Sequence, residues 1–127
     1  MLRVHGWEPH DRGAEVVDLL AALNTGHEGG CSTVHANSVA DVPARLEALA
    51  VPAGMSRDAV HAQVLAGLRV VLHLHRLGGR HRLAQLGVLT RAAGGVVCQP
   101  ALRVDAGRLV TGPAAAELER LLYAVSP

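Results

Sequence analysis

From Gly13 to Asn24 the apolar residues Val16, Val17, Leu20 and Leu23 recur at helical spacing, with Glu15 and Asp18 off that stripe. The pattern predicts an amphipathic helix that stops at Thr25-Gly26. Residues 25–30 (TGHEGG) then read as a glycine-rich loop, and Cys31 to His35 (CSTVH), short and β-branched, as a buried strand. Asn37-Ser38 breaks that strand. Ser38 or Asp41 can cap a second helix carrying Val42, Leu46 and Leu49, which Pro52 to Gly54 ends. Ser56 with Asp58 in the first turn opens a third helix through Val60, Val64 and Leu68.

The period then changes to two. Val70 to Leu77, the pair Gly78-Gly79, and Arg80 to Leu89 predict a β-hairpin in which His75 faces Arg82, and His73, sharing a strand face with His75, reads with it as a solvated hairpin face. Gly94-Gly95 marks a further turn, and Val96 to Val104 a strand that Pro100 places at a sheet edge. Thr111 and Pro113 start a last helix whose residues Leu118, Leu121, Leu122 and Val125 suit a docking face. Residues 1–12 show no period and read as irregular, residues 13–90 as the main α/β unit, and residues 91–127 as an extension with an edge strand and a helix. A buried strand at 31–35 needs parallel neighbours, because parallel sheets are covered on both faces. No other strand of that kind precedes it in this reading, so the chain reads as part of an α/β domain whose first strands are missing.

Composition narrows the chemistry. All twelve cations among the 127 residues are arginine, and there is no lysine, isoleucine or phenylalanine. That removes a phosphate-loop lysine, a Schiff-base lysine and a lysine general base. A net charge of +1 gives no case for a nucleic-acid partner. No apolar run approaches the roughly 20 residues of a membrane span. Two cysteines make no disulfide framework, so a reducing, cytoplasmic setting is the default. His27, Cys31 and His35 are four residues apart, but a loop followed by a strand does not bring such positions together, and no metal site is expected.

Three stretches together carry a resemblance: Arg12-Gly13-Ala14-Glu15, then Thr25-Gly26-His27-Glu28-Gly29, then Ser32-Thr33-Val34-His35-Ala36-Asn37-Ser38, with Arg45-Leu46-Glu47 continuing the match. They resemble the ATPases of type II and type IV secretion systems, nearest the Tad/Flp pilus-assembly branch, over about residues 12–90. The resemblance implies the C-terminal portion of a RecA-like P-loop ATPase domain, with an antiparallel hairpin and a C-terminal helix. It implies ATP and Mg²⁺ as ligands and hexameric rings of ATPase subunits as partners. It also implies inner-membrane secretion or pilus components as partners, and a cytoplasmic place at the inner face of the cell membrane. By the same resemblance His35, Thr33 and Arg45 are the catalytic candidates, and His27 and Gly26 the nucleotide-binding ones.

Against that pattern, this chain has no GxxGxGKT loop, and His10 stands where the family carries the glutamate of its Walker B segment. ATP hydrolysis needs a cation and a backbone nest on the phosphates and a carboxylate near the metal. The sequence therefore predicts a truncated secretion ATPase that is not catalytic by itself. A second reading, from another class, is a non-enzymatic module that pairs with a full-length ATPase subunit or another partner through its sheet edge and apolar helix faces.

Overall fold

The alternating segments form one six-stranded mixed sheet in the computed structural model, which describes residues 2–5, 13–25 and 32–125. In chain order the elements are β1 (Leu2–His5), α1 (Gly13–Asn24), β2 (Ser32–His35), a 3-10 turn (Val39–Asp41), α2 (Val42–Ala50), α3 (Arg57–Gly67), β3 (Val70–Leu77), β4 (Arg80–Ala92), β5 (Gly95–Asp105), β6 (Arg108–Thr111) and α4 (Ala115–Val125). The strand order is β2-β1-β3-β4-β5-β6, with β1 parallel to both β2 and β3 and every later pairing antiparallel. The helical path from β2 to β3 therefore crosses over β1, as a parallel connection requires.

Strand alternation splits the apolar residues between two sheet faces. Val34, Val71, Leu89, Val96 and Cys98 turn to one face and are buried there with Val16, Leu20, Val42, Leu46, Val60 and Val64 of α1, α2 and α3. Val88 and Ala101 turn to the other, where Ala114, in the turn before α4, and Leu118 of α4 cover them. Gly87 lies on the first face where a neighbouring side chain and the 3-10 turn approach the strand closely. A β-carbon there would stand 2.7 Å from Cys98 Sγ and 2.9 Å from Val39 Cβ. Burial among these groups pushes the free Cys98 thiol up to about 12, so it packs as a small apolar side chain.

Several expectations are corrected. Leu2–His5 is a strand, not irregular chain, and it supplies the parallel neighbour that β2 was expected to lack. Four residues are too short to show a period, and pairing on both sides outweighs weak local preference. β5 is not an edge strand: β6 pairs with Leu102 to Asp105. Pro100 is tolerated because it lies beside a bulge, where Leu86 pairs with Leu102 but Gly87 with Pro100, and because the β6 pairing begins only at Leu102. Thr111 ends β6 instead of starting the last helix. Leu68 is extended and caps α3, and Leu122 on α4 is 63% exposed, outside the docking face. Neither Ser38 nor Asp41 caps the second helix with its side chain. Ser38 Oγ donates to Asp41 Oδ2, and Gln85 Oε1 of β4 accepts from Val39 N at 3.2 Å.

β6 escapes the sequence because its turn is disguised. Ala106 and Gly107 both take positive φ, 48° and 76°, the pattern of a two-residue hairpin turn in which alanine is uncommon. Ala106→Asn is expected to raise stability by about 1 kcal/mol, since left-handed backbone costs an ordinary side chain roughly that much. Urea unfolding of the two forms measures it.

Candidate functional site

β2 presents its residues alternately. Val34 is 2% exposed and buried with α1, α2 and α3, so Thr33 and His35 turn to the opposite face, Thr33 exposed and His35 half-buried. Their shared side brings these two candidates together. Arg45, half-buried on α2, sits with the helices on the Val34 side and is separated from them by the sheet. Gly26 and His27 lie outside the described residues, as does Cys31. The chain leading to them is anchored: Asn24 Nδ2 donates to Leu20 O at 2.7 Å and to Gln63 O of α3 at 3.2 Å, and Thr25 Oγ1 donates to Ala21 O at 2.9 Å.

His73 departs from the expected solvated hairpin face. The strand carries it beside Val71 on the helix side, where it is half-buried and His75 is exposed. Burial holds its imidazole below the usual histidine range, and His75 adds to this, while a hydrogen bond with the Ala36 backbone and the Asp41 carboxylate oppose it. With the folded value depressed, its contribution to stability is complete above the ordinary histidine value, near 6.5. That contribution is lost as the pH falls through the lower folded value. Urea midpoints at several pH values between about 8 and 5 are expected to fall with pH, and to fall less for His73→Leu.

One well-connected polar group was not foreseen. Glu47 on α2 accepts from Arg57 Nε through Oε1 at 2.9 Å, and its Oε2 lies 2.9 Å from His61 Nε2. His61 Nδ1 accepts the Val96 backbone N–H at 3.0 Å, and Arg57 Nη2 donates to Gly94 O at 2.8 Å. The Nδ1 acceptor bond fixes the proton on Nε2, which then donates to Glu47. The hydrogen bond from His61, with the Arg57 cation beside it, holds the Glu47 carboxyl below its usual range against a smaller opposing effect of burial. Beside this junction opens a cleft of about 400 Å³, lined by Arg57, Asp58, His61, Arg91 and the Gly94-Gly95 turn among others. Glu47 falls within the Arg45-Leu46-Glu47 match, but nothing local pairs it with a histidine 14 residues on.

ATP and Mg²⁺, the ligands implied by the resemblance, are not fitted by these residues as a complete site. The chain carries no lysine, and Thr33 and His35 stand on the far side of the sheet from Arg45. Among the described residues no three His, Cys, Asp or Glu side chains are placed to hold a metal. The described helices include none long and apolar enough to cross a membrane.

Comparison with known proteins adds the ancestry. The family model described as type II/IV secretion system protein matches residues 11–111. Conjugal transfer proteins from two strains of Mycobacterium tuberculosis are each 55% identical to this chain over 97 residues. That match covers 76% of this chain but 28% of the relatives' own length.

Proposed function

Because the chain belongs to the type II/IV secretion system protein family, we propose that it is the C-terminal portion of a RecA-like secretion or pilus-assembly ATPase, of the Tad/Flp branch, that does not turn over ATP by itself. The observation carrying this is the coincidence of a continuous family match over residues 11–111 with a chain that has no lysine. Phosphoryl transfer is mostly positioning and charge stabilisation, and a cation on the β- and γ-phosphates is among its recurring parts. In this reading Thr33 and His35 form one wall of a nucleotide site. In the same reading the His35 imidazole hydrogen-bonds charge that develops on a terminal phosphate. By the family resemblance Gly26 and His27 bind the same nucleotide, and Arg45 serves a contact between subunits. Groups outside these 127 residues complete the site. The chain then works in the cytoplasm, against the inner face of the membrane, within a ring of ATPase subunits.

One observation also favours the non-enzymatic reading, in which the chain pairs with a longer subunit. Among the described residues β2 is an edge strand, hydrogen-bonded only to β1, and Thr33 is exposed beside it. Parallel strands normally have a neighbour and cover on both faces.

Phosphate release from ATP with Mg²⁺ decides the first reading. The purified chain is expected to show no turnover above a buffer blank. Steady Mg²⁺-dependent hydrolysis that His35→Ala abolishes would overturn it.

A further inference from the structure

Elements α2, α3 and the start of β5 meet at His61. Its two ring nitrogens have opposite duties: Nε2–H donates to Glu47, and Nδ1 accepts from Val96 N–H. The side chain is 11% exposed, so water replaces neither partner easily. Gly95 belongs to the arrangement, because a β-carbon there would stand 2.0 Å from Nδ1.

We propose that His61 is a proton-operated latch: neutral, it ties the β4–β5 turn to α3 and α2, and protonated on Nδ1 it releases the turn. The chemistry is local. A proton from solvent occupies the Nδ1 lone pair, so the ring becomes a donor at both nitrogens and Val96 N–H loses its acceptor. Nε2–H stays on Glu47, and that bond becomes charge-assisted. The latch therefore opens on the strand side only.

The titratable groups around the ring are Glu47 from α2, Arg57 and Asp58 from its own helix, and Arg91 from β4. β5 meets it with backbone, at Gly95 and Val96. The remaining tie to the turn is Arg57 Nη2 to Gly94 O. Release frees the Val96 amide without detaching the whole hairpin.

NMR on the whole chain tests this. At pH 8 the ¹⁵N shifts of His61 are expected to show the proton on Nε2. On lowering the pH to 5.5, exchange of the Val96 amide, corrected for its intrinsic rate, is expected to rise at least tenfold in step with His61 protonation. The Leu68 amide, bonded to Val64 O, serves as the internal reference and is expected to hold. His61→Asn keeps an acceptor for Val96 but does not titrate, so its Val96 protection is expected to be flat with pH. A proton on Nδ1 at pH 8, or Val96 protection that ignores His61 protonation in the unmodified chain, would overturn the proposal even if the variant fails to fold.

Discussion

Gly95→Ala is expected to lose about 2–5 kcal/mol of folding stability. Two costs combine. Gly95 has φ +124°, outside the range that side chains tolerate, and such backbone costs roughly 1–3 kcal/mol. The new methyl would also stand 2.0 Å from His61 Nδ1, and overpacking of that kind costs about 1–3 kcal/mol more. The His61 ring must then move, breaking its bonds to Val96 N–H and Glu47. Denaturant unfolding of four chains measures this: unmodified, Gly95→Ala, His61→Ala and the double variant. With the ring gone only the backbone cost remains, so the loss from Gly95→Ala is expected to be smaller in the His61→Ala background by more than about 0.5 kcal/mol. Equal losses in both backgrounds would place the whole effect in the backbone.

Leu46→Ala is expected to cost about 2–5 kcal/mol, a large part of the roughly 5–15 kcal/mol that holds a domain of this size together. Leu46 is fully buried in the larger of the two clusters, among residues drawn from α1, α2, α3 and the sheet. Phenylalanine and isoleucine are absent, so the core is built of leucine, valine and alanine, with no larger apolar neighbour to fill the gap. Leu122→Ala is the control. That residue is 63% exposed on α4, and its truncation is expected to stay within about 0.5 kcal/mol. Thermal and urea unfolding of the pair check both values.

The helices were legible because their signals are local. Gly13–Asn24 is bounded as the apolar stripe and Thr25-Gly26 require, and Ser56 Oγ accepts from Ala59 N as its position before a helix suggests. The hairpin around Gly78-Gly79 was legible for the same reason, down to His75 opposite Arg82. What failed depends on partners remote in sequence. Leu2–His5 becomes a strand only between β2 and β3, and Pro100 becomes tolerable only beside a bulge. His73 looked solvated because alternation gives the face of a residue and not what covers that face.

Within the candidate site, period two correctly set Thr33 and His35 together, as Val34 between them is buried. It could not show that Arg45 lies across the sheet. The Glu47–His61–Val96 junction joins residues 14 and 35 positions apart, and no spacing rule reaches that far. The glycine at 95 read only as a turn former, although its missing side chain also makes room for an imidazole.

The proposed function makes Thr33 and His35 one wall of a nucleotide site whose remaining groups come from outside this chain. Amide NMR spectra of the chain with Mg²⁺-ATP test it most directly, alone and after adding the separately expressed part of a longer relative that this chain does not cover. No change is expected with nucleotide alone, and nucleotide-dependent shifts of Thr33, Val34 and His35 are expected once the second part is present. Shifts at these residues with nucleotide alone, or shifts in the mixture confined to other residues, would contradict it.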